Sequence, residues 1–177
     1  MDKILYRLRE CSLLFPDDDP LFREETEPLL RYLFREVSVA RDGGEALALY
    51  RQIRPDILLI DMLMPVHDGI EVVKQIRVHD PHTPIVMLTG HSSEMVLLEA
   101  VRLYLEDYLR KPFDSPRLIE AFGRCIRRIE QLLPARVRLL GGAEYEVETR
   151  EAWREGRTLR LGAKESELLH LLVSVHP

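Results

Sequence analysis

Five short apolar runs, at residues 11–15, 37–40, 57–60, 85–88 and 108–109, alternate with amphipathic segments at 21–34, 42–54, 70–78, 92–104 and 116–133. Strands that alternate with helices form a parallel sheet covered on both faces, so these residues predict an α/β domain with a buried parallel sheet. The helix boundaries carry their own signals. A Gly-Gly turn opens the second segment, an Asp-Gly turn the third, a Ser cap the fourth and Pro116 the fifth. Pro28 falls inside the first helical segment and is expected to kink or interrupt it.

Composition narrows the class. The chain has 177 residues, enough for one full domain and a remainder. With 46% apolar and 31% charged residues it can bury a core. Its net charge of −5 argues against a globally basic nucleic-acid-binding domain. Two cysteines, Cys11 and Cys125, do not make a disulfide framework; they fit a reducing compartment and read as buried small hydrophobes. The first ten residues are charged throughout and give no signal-peptide pattern, and no apolar stretch is long enough to span a membrane. A cytoplasmic location is the expectation.

The pattern changes after residue 133. Pro134 breaks the long helical segment and Gly141-Gly142 marks a turn. Short alternating stretches between 137 and 161, with a Glu155-Gly156 turn, predict a small antiparallel sheet, and 164–175 predicts a helix. A piece of about 40 residues is too small to bury a good core unaided. His170, near the end of that helix, is expected to be partly exposed, and His67 to face solvent in a loop.

Chemistry collects after the strands. Asp17, Asp18 and Asp19 follow the first run, Asp61 the third, Thr89 the fourth, and Lys111 lies just beyond the fifth. In an open parallel sheet these positions share one edge, where ligands bind. Taken singly, each acid is an ordinary turn or cap residue. Together they repel one another, and a hard divalent cation such as Mg²⁺ resolves the repulsion. Lys111 and the Thr89 hydroxyl suit phosphoryl oxygens better than a metal. Asp61, held at the end of a buried strand, is the best placed nucleophile toward phosphorus.

These residues resemble the receiver domain of bacterial two-component response regulators over about residues 10–130. The resemblance rests on Asp17-Asp18-Asp19-Pro20-Leu21-Phe22-Arg23, on the stretch from Pro55 through Asp61 and Pro65 to Asp68-Gly69, on the stretch from Pro84 to Thr89-Gly90, and on Asp107 to Lys111-Pro112-Phe113. It implies a five-stranded parallel, doubly wound, flavodoxin-like sheet. It implies Asp61 as phosphoacceptor and Mg²⁺ held by Asp17, Asp18, Asp61 and the backbone carbonyl of Leu63. Thr89 and Tyr108 would be the switch pair, Lys111 would pair with phosphoryl oxygens, and the Lys111–Pro112 bond would be cis. A sensor histidine kinase would donate the phosphoryl group, and the protein would act as a signalling phosphoprotein rather than an enzyme. An aspartyl-phosphate hydrolase also uses Asp and Lys, but it needs a second acid where Leu63 stands.

Residues 137–177 resemble the start of a winged-helix effector domain of the OmpR/PhoB type. The organisation implied is a receiver over 10–133, a linker over 134–142 and an incomplete effector domain over 143–177. Six basic residues against seven acidic ones in that segment make no phosphate-binding patch, so DNA is a partner only for a longer chain. The alternative is a short regulator working through protein contacts.

Three departures from the family pattern bear on function. Pro16 stands in the first strand, which is expected to end one residue early and to disturb the acidic pair. Tyr104-Leu105 replaces the usual Gly-Ala before the last strand, so that loop is expected to run differently or the helix to extend. On the face where relatives pair through charges, Leu97, Arg117 and Ala121 stand at three positions and only Asp107 and Arg128 keep the expected sign. Met95, Val96, Leu97, Leu98, Val101 and Leu103 make the helix over 92–104 apolar on several sides, which suggests a homodimer surface.

Overall fold

The computed structural model describes residues 2–90, 102–132, 136–139, 142–146, 151–154 and 157–175. Two compact units divide the chain, residues 1–128 and 129–177. In the first, helix α1 (Asp2–Leu8) precedes β1 (Ser12–Pro16), α2 (Pro20–Leu33), β2 (Glu36–Ala40), α3 (Gly43–Ile53), β3 (Ile57–Asp61), α4 (Gly69–His79), β4 (Ile85–Thr89) and β5 (Asp107–Arg110). Helix α5 (Ser115–Leu132) follows and runs past the division between the units. The helix expected over 92–104 lies outside the described residues up to 101, and with it Met95, Val96, Leu97, Leu98 and Val101.

The five strands form one parallel sheet, as the alternating pattern predicts, and its order is β2-β1-β3-β4-β5. Strand order reverses between β1 and β3, so a crevice opens beyond their carboxyl ends. Side chains alternate between the faces. Leu14, Leu58, Ile60, Ile85 and Met87 pack with Ala46, Leu47 and Tyr50 of α3 and Val72, Val73 and Ile76 of α4. The other alternate set, Leu13, Phe15, Ile57, Leu59, Val86 and Leu88, is equally buried. There Phe15 meets Phe22 of α2 edge-on, and Phe34 meets Phe122 of α5 at 4.8 Å.

Aspartates start the helices. Asp19 caps α2 by accepting from the Leu21 and Phe22 N–H groups, Asp42 caps α3 and Asp68 caps α4. Asp114 accepts from Arg117 N–H at the start of α5. Pro28 does not interrupt α2, which runs unbroken to Leu33. It lies on the exposed side of the helix, and Glu24, whose carbonyl loses its partner, is also exposed to water.

Pro16 shortens the first strand on one side only. The Asp17 N–H donates to Ala40 O in β2, so the Pro16 nitrogen, one residue earlier, faces β3. The β1–β2 register accordingly runs to Pro16↔Ala40, while the β1–β3 register stops at Leu14↔Leu58. Before β5, Tyr104 takes the left-handed conformation (φ 52) that glycine would adopt freely. Its ring points into solvent.

The sequence pattern did not single out α1. Its Leu8 is fully buried, and Ile4 reaches the α5 backbone where Gly123 leaves room: a Cβ there would lie 3.1 Å from Ile4 Cδ1. Ala121 of α5 is fully buried, so that position cannot present a side chain to a second chain. Both cysteines are buried. Burial pushes the Cys11 thiol up to about 12 and the Cys125 thiol well above its ordinary value.

In the second unit, β6 (Arg136–Arg138), β7 (Glu144–Glu146), β8 (Glu151–Arg154) and β9 (Arg157–Leu159) form an antiparallel sheet, and α6 (Ala163–Val175) follows. Its core is Tyr145, Ala152 and Val173, flanked by Val137, Leu139, Leu161 and Leu169. His170 is buried rather than partly exposed, with its Nδ1 3.5 Å from the Tyr145 hydroxyl, because it lies one helical turn after Ser166 and beside Leu169 on the side facing the sheet.

Candidate functional site

Each strand of the reversal point delivers one part of an acidic crevice. Asp17 directly follows β1 and is fully buried; its carboxylate receives the Asp19 N–H at 3.1 Å, and Arg23 donates to its carbonyl. Asp18 beside it is exposed. Asp61 ends β3 and is buried. Carboxylate oxygens of Asp17, Asp18 and Asp61 all lie within 4.8 Å of one another. Pro16 therefore leaves the acidic pair in place beside Asp61.

Lys111 closes the crevice from the side of β5. Its backbone N–H donates to Thr89 O at 2.8 Å, which ties the residue to the end of β4. Its Nζ lies 2.6 Å from Asp17 Oδ2 and 3.2 Å from Asp61 Oδ1. It also sits over the Phe22 ring, 4.1 Å from the centroid. The Lys111–Pro112 bond is cis.

One ammonium shared by buried acids does not balance them. Burial raises the Asp61 carboxyl to about 6, against the opposing pull of Lys111 and with the help of Asp17. Burial likewise raises Asp17 in spite of its hydrogen bond from Lys111. The donor set is three carboxylates, all hard oxygens, at mutual distances that suit one small divalent cation. The residues present thus fit Mg²⁺.

The loop after Asp61 is held by close backbone packing. Met62 N–H donates to Leu88 O and Gly69 N–H to Met62 O. A Cβ at Gly69 would lie 2.2 Å from the Asp61 carbonyl oxygen, so only glycine fits there. Leu63 is exposed in this loop, and Val66 takes φ 72. His67 is half-buried with Nδ1 3.4 Å from Glu71 and does not join the acidic cluster.

Thr89 ends β4 with its side chain buried, one residue past Leu88, the register partner of Asp61. Tyr108 lies on the outward face of β5 and is 40% exposed. The structure therefore gathers Asp17, Asp18, Asp61 and Lys111 into one cluster, with Thr89 at the adjoining strand end and Tyr108 farther out on β5. Two contributors carried no role in the sequence reading. Arg23 holds the Asp17 backbone, and Phe22 lies under Lys111. The signal for Phe22 was the recurrence of aromatics at 15, 22 and 113, just before, inside and just after the acidic and lysine motifs.

The family model described as "Response regulator receiver domain" matches residues 13–123. The chain is 32% identical over 163 residues to the transcriptional regulatory protein TrcR of Mycobacterium tuberculosis, covering 91% of this chain and 63% of that protein. It is 35% identical over 171 residues to the transcriptional regulatory protein CpxR of Klebsiella pneumoniae, covering 91% and 72%. The chain thus spans about two thirds of the length of these curated relatives. Among solved structures it is similar to the receiver domain of AraT, a response regulator from Geobacillus stearothermophilus, with a TM-score of 0.62 and 33% identity over 68% of this chain and 96% of that one. A CheY-like receiver from Methanospirillum hungatei, at 23% identity and a TM-score of 0.64, shares the fold. The acidic crevice at the strand-order reversal, the family match over most of the first unit and the OmpR/PhoB-type relatives agree: the chain belongs to the response regulator receiver family, its receiver fold followed by a small antiparallel sheet and a helix.

Proposed function

We propose that the protein is a phosphorylation-controlled regulator that accepts a phosphoryl group on Asp61 from a phosphohistidine of a sensor kinase. The observation that carries this reading is the buried Asp61 carboxylate at the end of β3, sharing the Lys111 ammonium with Asp17 inside a three-carboxylate cluster. With a pKa near 6, Asp61 is mostly ionised at neutral pH and can serve as nucleophile. An Asp61 oxygen bonds to phosphorus as the phosphorus–nitrogen bond breaks, and the electron pair leaves with the imidazole. Lys111 neutralises one phosphoryl oxygen and the Thr89 hydroxyl donates to another. Asp17, Asp18, Asp61 and the Leu63 carbonyl would hold Mg²⁺, which when bound supplies further positive charge to the phosphoryl oxygens.

Contacts made only with the phosphorylated form shift the population of a two-state surface. Thr89 and Tyr108 are the residues assigned to that switch, and the surface they control would mediate homodimerisation. The output assigned is transcriptional control, in line with what the relatives' names say of those proteins, and the location assigned is the cytoplasm. Among the described residues no helix is long and apolar enough to cross a membrane. The near balance of acids and bases in the second unit favours a second reading, a regulator that acts through protein contacts without DNA. The reading of Asp61 is tested with acetyl phosphate and Mg²⁺: the protein should gain one acid-labile phosphate by intact mass, and Asp61→Ala should abolish it. Labelling that survives Asp61→Ala overturns the assignment.

A further inference from the structure

Phe22 is built into the acidic crevice rather than only into the core. It sits in the first turn of α2, where Asp19 receives its backbone N–H and fixes its position. Its ring meets the edges or faces of two other aromatics, Phe15 at 6.3 Å and 64° and Phe113 at 5.8 Å and 83°. Phe15 belongs to β1, two residues before Asp17, and Phe113 follows Lys111 by two residues. The three rings therefore link the strand that carries Asp17 to the loop that carries Lys111, and the Lys111 Nζ lies 4.1 Å from the Phe22 centroid.

A cation at that distance over a ring face is attracted by the ring quadrupole. The Lys111 ammonium thus has three anchors: Asp17 Oδ2, Asp61 Oδ1 and the Phe22 ring. The two carboxylates are the groups the proposed chemistry alters, since both would ligate Mg²⁺ and Asp61 becomes an acyl phosphate. The ring neither titrates nor reacts, so its attraction is the same before and after transfer. An aliphatic side chain of similar volume would fill the space under Lys111 but would leave the ammonium held only by acids whose charge changes.

We propose that Phe22 is a positioning residue for Lys111, holding the ammonium over the crevice beside Asp61 through its ring face. The proposal deepens the phosphoacceptor reading and rests on it for the kinetic consequence, but not for the contact itself. The chain has four lysines, Lys3, Lys74, Lys111 and Lys164, so the side-chain signals of Lys111 are readily assigned by their loss in Lys111→Arg.

The test uses the full chain with Phe22 replaced by phenylalanines carrying increasing numbers of ring fluorines, which weaken the quadrupole at nearly constant shape, and with Phe22→Leu as a second variant. In metal-free protein the Lys111 Hε protons should resonate upfield of those of the other three lysines through the ring current, and Phe22→Leu should abolish that displacement. With acetyl phosphate and Mg²⁺, the rate of Asp61 phosphorylation should fall progressively along the fluorine series, by about 3- to 10-fold at the end, at unchanged melting temperature. Fluorination of Phe113 should leave the rate alone. Lys111 Hε signals at the position of the other lysines overturn the proposal. So does a phosphorylation rate that is flat along the series or that follows the melting temperature. Failure of Asp61 to be phosphorylated in the unmodified protein would overturn the phosphoacceptor reading and leave the lysine spectrum to decide the contact.

Discussion

The Asp107 carboxylate is gripped by the Arg117 guanidinium of its own chain, with Nη1–Oδ2 at 2.7 Å and Nη2–Oδ1 at 2.9 Å. Asp107 is buried at the start of β5 and Arg117 is part-exposed in the first turn of α5, so the pair clamps the helix start to the strand. Arg124 adds a weaker contact to the same carboxylate at 3.5 Å. By sequence, Asp107 is one of two charges of the expected sign for pairing with a second chain. Within the chain it already has a two-point partner.

Removing that partner strands a buried carboxylate. Arg117→Ala is expected to destabilise the protein by about 1–3 kcal/mol, with Arg124 limiting the loss. Lysine cannot reproduce the fork, so Arg117→Lys should recover only part of it. Urea denaturation of the three proteins measures both differences. An Arg117→Ala protein as stable as the parent contradicts a clamp between β5 and α5.

The turn before β5 depends on Arg77. Its guanidinium donates to the carbonyls of Leu103, Tyr104, Thr83 and Asp80, so it fastens α4 and the start of β4 to a loop whose Tyr104 sits at positive φ. Arg77→Ala leaves several partly buried carbonyls without this donor and should cost about 2–4 kcal/mol. Tyr104→Gly removes the left-handed strain of about 1–2 kcal/mol but adds chain entropy, giving a net gain of about 1 kcal/mol or less. Thermal melts should therefore move in opposite directions for the two variants.

Asp80 sets an acid limit on stability. Burial alone would raise its carboxyl, but hydrogen bonds from the Thr83 hydroxyl, the Thr83 and His82 N–H groups and the Tyr50 hydroxyl hold it at about 2. A folded-state pKa below the ordinary value of 3.8 gives stability that is present above pH 4 and lost as pH falls from about 4 to 2. Asp80→Asn should lower the melting temperature at pH 7 and flatten its fall over that acid window.

Asp61 acts in the opposite sense. Its folded-state carboxyl is raised to about 6 from 3.8, so the metal-free native state binds more protons than the unfolded chain, and its contribution weakens stability as pH rises through that interval. In chelator at pH 7, Asp61→Asn should melt above the parent, and the gap should close as the pH is lowered through 6 toward 4. Adding Mg²⁺ at pH 7 should raise the melting temperature of the parent more than that of Asp61→Asn. A variant that melts below the parent in chelator contradicts an uncompensated charge at position 61.

Residue types and spacing carried the five strands, because buried parallel strands need short apolar runs, and they carried Asp17, Asp61, Thr89 and Lys111, because strand ends share one edge. They did not carry α1. Seven residues with Ile4 and Leu8 as the apolar contacts make too short a period to separate from a charged tail. The one-sided effect of Pro16 was also hidden, because the side of the strand that a missing N–H faces depends on sheet order. The burial of His170 is hidden for a related reason: it comes from Tyr145, 25 residues away. The Lys111–Phe22 contact joins residues from opposite ends of the receiver fold, and no local pattern encodes it.

Phosphorylation on Asp61 can be located directly in the sequence. After reaction with acetyl phosphate and Mg²⁺, borohydride reduction converts an aspartyl phosphate to homoserine, which peptide mass spectrometry places in the sequence. Homoserine is expected at position 61 and at neither 17 nor 18. Homoserine at Asp17 or Asp18, or its absence throughout a protein that binds Mg²⁺, contradicts it.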